Sequence, residues 1–261
     1  MAIVKKRAAL PVILILALIL AFVLIALIGF IFGLRYTTLK NDVRFLGRVK
    51  GSEPYRGTAY YAEGSAKFDR DERSLHYDNG DVYVGEIRDL QPDGHGRMEY
   101  ASGDVYEGDF VQGAPSGTGT FLYVSGDTYS GEMQNGMHHG QGVYTFADGS
   151  SYTGYFTENR KNGSGTYVYA SGSRYEGSFT DDMKNGQGTL TFANGDVYIG
   201  SFINDVREGQ GTYTWANGDV YEGAFRNNLP NGQGTYTWAE GEEAGRVYTG
   251  FFKDGLISLE S

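Results

Sequence analysis

Four histidines and a periodic set of aspartates are the side chains of this chain with the chemistry for metal binding or proton transfer. The histidines are His76, His95, His138 and His139, and the aspartates that follow a turn glycine are Asp81, Asp104, Asp127, Asp196 and Asp219. The chain contains no cysteine, so the sequence excludes disulfides, thiolate metal sites and thiol nucleophiles.

Neither set predicts a metal site. His95 lies between two glycines, and His138 and His139 lie where sister repeats carry basic residues, so we interpret them as loop residues without the further ligands that zinc needs. Ser150 and Ser173 interrupt the aspartate column, which turn chemistry explains more simply than calcium binding. The recurring Gly-x-Gly pairs lack the βαβ unit of a dinucleotide site. We predict no enzyme, and no catalytic, cofactor-binding or metal-binding residue.

A tyrosine recurs seven times at an interval of 23 residues, and a glycine follows each one two residues later. These tyrosines are Tyr83, Tyr106, Tyr129, Tyr152, Tyr175, Tyr198 and Tyr221. An eighth pair, Tyr248 and Gly250, follows after 27 residues. A fixed period of this length is typical of a tandem array in which each unit contacts its neighbours. Aromatic and polar residues alternate on both sides of a glycine turn within each unit, which predicts a β-hairpin.

The residues before the turn glycine indicate the type of turn. They are Asn, Asp or Ser. A two-residue type I′ turn needs positive φ at both central residues, whereas a three-residue loop needs it only at the glycine. We therefore predict a three-residue loop that places Tyr213 opposite Tyr221 and the aromatic rings of both strands on one face.

The repeated pattern Tyr-x-Gly-x-Phe, followed by Gly-x-Gly-x-Tyr and the turn glycine, resembles the MORN (membrane occupation and recognition nexus) repeat. The resemblance covers residues 81 to about 255. It implies an elongated β-sheet that acts as a binding or scaffolding module, and it implies no chemistry. Direct binding of lipid by the repeats does not follow from it.

Residues 8–34 contain no charged side chain and are mostly Leu, Ile, Ala and Val. A helix needs about 20 apolar residues to cross a bilayer, so we predict one transmembrane α-helix. The alternative is a cleaved signal peptide, because Lys5, Lys6 and Arg7 form a positive n-region. The apolar run is longer than the roughly 7–15 residues of a signal-peptide core, and no small-x-small cleavage site follows, so we favour a signal anchor.

The basic residues leave the orientation of the helix open. Those before it argue for the N-terminus inside, whereas Arg35, Lys40 and Arg44 after it argue for the opposite. We expect a single-pass membrane protein with the repeats outside. Residues 81–261 carry 25 acidic and 10 basic side chains, so we expect no binding to nucleic acid.

The predicted fold class is an all-β repeat array, an elongated single-layer antiparallel sheet of tandem 23-residue β-hairpins, preceded by the transmembrane helix. The predicted segments are a basic tail (1–7), the helix (8–34), a basic juxtamembrane linker (35–44), degenerate capping repeats (45–80), the MORN array (81–255) and a C-terminal tail (256–261).

The aromatic residues are the candidate binding surface, because a single-layer sheet has no second layer to cover them. The rings with the largest contact area lie near the distal end, and we predict partner-binding roles for Tyr213, Trp215, Tyr236 and Trp238. We expect a non-catalytic, membrane-anchored scaffold or adaptor that binds a protein partner through its sheet. The alternative is a cell-envelope glycan-binding module that stacks sugars on the Tyr/Trp row.

Overall fold

The computed structural model describes residues 9–31 and 33–258, which contain one α-helix and 21 β-strands. The chain forms two compact units, Met1–Ala101 and Ser102–Ser261. The antiparallel β-hairpin repeats confirm the all-β part of the predicted fold class.

Helix α1 spans Ala9–Ile31 and has no acidic residue in its first turn and no basic residue in its last. Within this helix, the side chains of residues 14–27 are described and all are exposed. Over the described residues, no helix combines the length and the apolar character required for a bilayer crossing. The structure therefore does not support the transmembrane helix predicted over residues 8–34.

The first unit contains seven strands, each antiparallel to the next in the chain. They are β1 (Leu34–Thr38), β2 (Arg44–Lys50), β3 (Glu53–Tyr60), β4 (Ser65–Asp69), β5 (Ser74–Tyr77), β6 (Val82–Arg88) and β7 (Gln91–Glu99). Strand β1 lies in the segment predicted as a linker, residues 35–44. It pairs with β2 from Leu34 opposite Arg48 to Thr38 opposite Arg44, so Arg35 and Arg44 lie in paired strands and Lys40 lies in the turn between them.

The second unit continues the pattern with fourteen strands. They are β8 (Val105–Val111), β9 (Ala114–Leu122), β10 (Thr128–Gln134), β11 (Met137–Thr145), β12 (Ser151–Thr157), β13 (Arg160–Val168), β14 (Arg174–Thr180), β15 (Met183–Thr191), β16 (Val197–Ile203), β17 (Val206–Thr214), β18 (Val220–Arg226), β19 (Leu229–Thr237), β20 (Val247–Lys253) and β21 (Leu256–Ser258). Within this unit each strand pairs antiparallel with the next, so spatial order follows chain order.

The three-residue loop predicted at the turn glycine is present. In the hairpin of β17 and β18, Tyr213 lies opposite Tyr221. The Trp215 N–H donates to the Asp219 carbonyl at 2.9 Å, and the Gly218 N–H donates to the Trp215 carbonyl at 2.8 Å. Gly218 has φ of 90°, whereas its two loop neighbours do not have positive φ. This is a type I turn closed by a glycine bulge.

A second turn in each repeat was not recognised from the sequence. Between β18 and β19, Asn227 (φ 49°) and Asn228 (φ 68°) form a two-residue loop, with Arg226 opposite Leu229. Positive φ at both central residues is the signature of a type I′ turn. Several copies use Glu, Asp or Asn without any glycine, which is why the sequence pattern did not reveal them.

The core of each repeat is a tyrosine ring lying over a pair of glycines. Tyr221 is fully buried, and Gly223 pairs with Gly234 beneath its ring. A Cβ atom on Gly234 would lie 2.5 Å from the Tyr221 ring. Bare glycine backbone therefore substitutes for a second layer of the fold. All seven periodic tyrosines are fully buried in this way.

Hydrogen bonds and phenylalanine rings complete each tyrosine site. The Tyr221 hydroxyl donates to the Ala224 carbonyl at 2.8 Å, three residues along the same strand. Phe225 and Phe252 contact the Tyr221 ring edge-on, with centroids 5.2 and 4.8 Å away. Phe252 belongs to the next repeat, so these edge-on ring contacts join consecutive hairpins.

Candidate functional site

The candidate site is a double file of half-buried rings along one face of the second unit, which we call the aromatic row. Its members are Phe121, Tyr123, Tyr144, Phe146, Tyr167, Tyr169, Phe192, Tyr213, Trp215, Tyr236 and Trp238. Because Tyr213 is directly opposite the buried Tyr221, the row lies on the same face as the buried tyrosines.

The structure brings the four predicted partner-binding residues together. Ring centroids are 4.6 Å apart for Tyr213 and Trp215, 5.3 Å for Trp215 and Tyr236, and 4.6 Å for Tyr236 and Trp238. All four side chains are half-buried. They form a continuous strip of apolar surface that spans two consecutive repeats.

Carboxylates at the three-residue loops hold the tyrosines of this strip in place. The Tyr213 hydroxyl donates to Asp196 at 2.6 Å, and the Tyr236 hydroxyl donates to Asp219 at 2.7 Å. The other oxygen of Asp196 accepts the Ala216 N–H at 2.9 Å. The periodic aspartates thus link the loop of one repeat to the loop of the next, which accounts for the column without a cation.

These hydrogen bonds shift the pKa values of both partners. Burial, followed by the hydrogen bond to Asp196, raises the pKa of Tyr213 to about 12. The hydrogen bond from Tyr213 is the main cause that lowers the pKa of Asp196, and the Ala216 and Asn194 hydrogen bonds reinforce it. At neutral pH the tyrosine is therefore a neutral donor and the aspartate a charged acceptor.

A column of basic side chains also lies on this face, and the sequence analysis did not identify it as part of a site. Its members are the second residue of their strands, Lys161, Lys184 and Arg207. Lys161 lies 5.3 Å from the Tyr167 ring centroid, and Arg207 lies 5.1 Å from that of Tyr213. The contacts are in the range of cation–π interactions.

The two lysines of the column are neutralised within the chain. Lys161 lies 3.6 Å from Asp182, and Lys184 lies 3.0 Å from Asp205. Lys184 also donates to the Tyr169 hydroxyl at 3.0 Å. Burial alone would lower the pKa of Lys184, but its hydrogen bonds to Tyr169 and Asp205 outweigh burial and raise it.

His138 occupies the position of Lys161 one repeat earlier in the chain. The interpretation of His138 as a loop residue was wrong. It lies in β11, is 7 % exposed and stacks on Tyr129 with ring centroids 3.7 Å apart. Its Nε2 atom is 2.7 Å from the Tyr123 hydroxyl. Burial lowers the pKa of His138 to about 4, so the ring is neutral at pH 7 and belongs to the core.

The first unit contains a cleft of about 590 Å³ beside β3 and β6. Its lining includes Arg70 and Glu53, which pair at 2.5 Å, and Arg88 and Asp93, which pair at 3.2 Å. Within each of these two pairs the charges compensate one another. In the described part of the chain, no group of three or more metal-ligating side chains is gathered.

Two solved structures that are similar to this chain are distant from it in sequence. The TCP10 domain of Danio rerio CPAP in complex with a STIL peptide is 16 % identical, with 85 % of this chain and 94 % of that chain covered and a TM-score of 0.44. The TCP domain of Drosophila melanogaster SAS-4 in complex with a proline-rich motif of Ana2 is 17 % identical, with 66 % and 92 % covered and a TM-score of 0.37.

A third similarity is weaker. Virginiamycin B lyase from Staphylococcus aureus is 12 % identical, with 83 % of each chain covered and a TM-score of 0.17. A search of curated protein sequences finds no significant match.

The repeats themselves match a family directly. The MORN repeat profile matches seven consecutive segments, at residues 83–105, 106–128, 129–151, 152–174, 175–197, 198–220 and 221–243. Together these segments cover residues 83–243, more than half of the chain. Each begins at one of the buried tyrosines. The chain belongs to the MORN repeat family.

Proposed function

We propose that the protein is a non-catalytic scaffold or adaptor that binds a protein partner through the aromatic row. The observation that carries this proposal is the strip formed by Tyr213, Trp215, Tyr236 and Trp238. These rings are in mutual contact, half-buried and on one face of the sheet. Tyrosine and tryptophan are enriched among the residues that dominate binding energy at protein interfaces.

The rigidity of the strip supports this function. Tyr213 and Tyr236 are each fixed by a hydrogen bond to a loop aspartate, so their rings are already ordered before a partner arrives. Ordering a side chain at an interface costs about 0.5–1.5 kcal/mol. A partner that docks on this strip therefore avoids much of that cost.

Affinity capture with truncated rings tests the proposal. The full chain, solubilised in mild detergent, is compared with the double variant Trp215→Ala/Trp238→Ala and with Ile199→Ala. Ile199 follows the buried Tyr198 in β16, so it lies on the opposite face, where its side chain is 56 % exposed. We expect the double variant to lose a specific protein that wild type and Ile199→Ala retain. Equal capture by all three contradicts the proposal.

Glycan binding is the alternative function, since rings beside carboxylates also suit sugars. Two observations favour a protein partner instead. Asp196 and Asp219 already accept hydrogen bonds from tyrosine hydroxyls, and the Arg246 guanidinium lies 5.3 Å from the Trp238 ring centroid. Binding of the full chain to purified cell wall, lost in the double tryptophan variant, would favour the glycan instead.

Membrane attachment remains a prediction from the sequence. It rests on the uncharged residues 8–34 and on exposed apolar side chains of α1, such as Leu20 at 68 % and Phe22 at 76 %. Extraction of cell membranes with alkaline carbonate tests it, because only an integral protein stays in the pellet. Protease treatment of intact cells then tests the predicted outside location of the repeats.

A further inference from the structure

We propose that Arg207 anchors a carboxylate side chain of an extended acidic peptide segment in the partner. This inference deepens the proposed function and rests on it. It assigns the partner's chemical class and the residue that selects it. Arg207 is distinguished by the rings that surround it and by a break in the charge pattern of the repeats.

The guanidinium of Arg207 lies among four aromatic rings. Its central carbon is 5.1 Å from the ring centroid of Tyr213 and between 5.4 and 5.9 Å from three others. These others are Tyr198, Phe192 and Phe225. One of these rings, Tyr213, also contacts Trp215, with ring centroids 4.6 Å apart. A guanidinium held in this way keeps its fork of N–H donors ordered for a planar acceptor.

The preceding repeats show what usually satisfies a cation at this position. The next type I′ turn supplies Asp182 to Lys161 and Asp205 to Lys184. The equivalent turn residue for Arg207 is Asn228, whose Oδ1 accepts the backbone N–H of Arg207 at 2.9 Å. Within the described residues, no carboxylate lies at ion-pair distance from Arg207.

Asp196 interacts electrostatically with Arg207. The arginine contributes to the lowered pKa of Asp196, although the hydrogen bond from Tyr213 is the larger cause. Asp196 accepts hydrogen bonds from Tyr213, Ala216 and Asn194 at 2.6, 2.9 and 3.1 Å, so it is committed to the loop. The half-buried arginine thus carries a charge that its own chain leaves without a direct carboxylate partner.

A peptide carboxylate fits this position better than other groups. Arginine and carboxylate form paired N–H···O bonds of matching geometry. The neighbouring indole and phenol rings offer apolar contact for the residues that flank the acidic side chain. Residues 81–261 are strongly acidic and repel an acidic peptide over most of their surface. Arg207 has no carboxylate partner among the described residues, so it is the residue that would attract such a peptide and determine where it binds.

Three substitutions separate this role from a structural one. Arg207→Gln removes the charge but keeps a polar side chain of similar length. Asn228→Asp keeps Arg207 and gives it the internal carboxylate found in the two preceding repeats. Lys253→Gln is the matched control, because Lys253 is exposed and follows the buried Phe252 in β20, so it lies on the opposite face.

The experiment selects peptides from a random displayed library on the full-length wild-type protein in mild detergent. Chosen peptides are then titrated in their original form and with each acidic residue replaced by its amide. The chain contains only two tryptophans, Trp215 and Trp238, so intrinsic tryptophan fluorescence reports binding at the aromatic row. Thermal unfolding of every variant confirms that it is folded.

We expect the selected peptides to carry Asp or Glu at one position. Their dissociation constant should rise about tenfold or more when that residue is replaced by its amide, in Arg207→Gln and in Asn228→Asp, but not in Lys253→Gln. Selection of no peptide, or of peptides without an acidic residue, overturns the inference, as does an unchanged dissociation constant in Arg207→Gln and Asn228→Asp. Competition by an acidic oligosaccharide but by no peptide also overturns it.

The proposed function can fail or survive separately. If the double tryptophan variant loses the cellular partner while Arg207→Gln and Asn228→Asp keep it, the aromatic row binds protein but Arg207 selects nothing. If the double tryptophan variant keeps the partner, the proposed function itself is wrong.

Discussion

The hydroxyl of Tyr213 donates a 2.6 Å hydrogen bond to the carboxylate of Asp196, which lies in the loop of the preceding repeat. The same carboxylate accepts the backbone N–H of Ala216 at 2.9 Å. One side chain therefore fixes both a ring of the aromatic row and the loop that follows it, so the proposed binding surface and the stacking of the repeats depend on the same carboxylate.

Replacement of Asp196 tests that support. Asp196→Ala should lower the free energy of unfolding by about 1–3 kcal/mol, because the Tyr213 hydroxyl and the Ala216 N–H lose their acceptor. Asp196→Ser should cost less, since Ser173 fills this role in a sister repeat, where its hydroxyl accepts the Ala193 N–H at 3.1 Å. Urea denaturation measures both, and equal losses would contradict the role of the backbone acceptor.

A methyl group on Gly234 should be poorly tolerated. The added Cβ would lie 2.5 Å from the ring of Tyr221, so Gly234→Ala should cost about 1–3 kcal/mol or more of unfolding free energy through overpacking. Tyr221→Phe is the matched variant, which loses only the hydrogen bond to the Ala224 carbonyl and about 1 kcal/mol. Thermal unfolding ranks the two, and the reverse order would show that the ring does not lie on the glycines.

The type I′ turn at Asn228 makes separable demands on backbone and side chain. Asn228→Gly keeps the φ of 68° available but loses the hydrogen bond to the Arg207 N–H. Asn228→Ala loses the bond and adds strain, because alanine disfavours positive φ. We expect the alanine variant to unfold at a lower urea concentration than the glycine variant, and indistinguishable midpoints would argue against a strained turn.

His138 should make stability depend on pH in mild acid. Its pKa is lowered to about 4 in the folded chain from an ordinary value near 6.5, so the unfolded chain binds the extra proton first. Stability should therefore be complete above pH 6.5 and decline as the pH falls from 6.5 towards 4. His138→Gln should remove this decline, which urea denaturation at pH 7 and pH 5 would show.

The loop carboxylates Asp196 and Asp219 affect stability at a lower pH than His138 does. The pKa values of Asp196 and Asp219 are lowered, chiefly by the Tyr213 hydrogen bond for the first and by the Ala239 N–H for the second. Their contribution is lost only as the pH falls below the ordinary aspartate range, near 4. A decline between pH 6.5 and 5 that persists in His138→Gln would contradict the assignment to histidine.

The repeat period and hairpin geometry could be read from the sequence because glycine and tyrosine are constrained at fixed positions. Gly218 at positive φ and the pairing of Tyr213 with Tyr221 follow from that pattern. The type I′ turns could not be read as easily, because Asp181–Asp182 and Asn227–Asn228 reach positive φ without glycine. Asparagine and aspartate tolerate that region better than most residues, which is the signal that was available.

The site was partly predictable for a similar reason. Aromatic residues at strand spacing placed Trp215 and Trp238 on one face. The position of Arg207 among aromatic rings could not be predicted, because those rings come from four different strands or loops that only the folded sheet brings together. His138 was misread because its position is basic in sister repeats, while burial against Tyr129 leaves it neutral.

The type I′ turns also imply that successive copies of the repeat are not interchangeable. Lys184 and Arg207 are followed one turn later by Asp205 and Asn228, whose side chains accept their backbone N–H groups at 2.9 Å. Pro115 and Pro230 have no N–H to offer, and the corresponding turn residues are Gly136 and Gly255. A duplication, deletion or shuffling of repeats would separate such pairs. The order of the repeats in the chain is therefore a constraint on how the array can change in evolution.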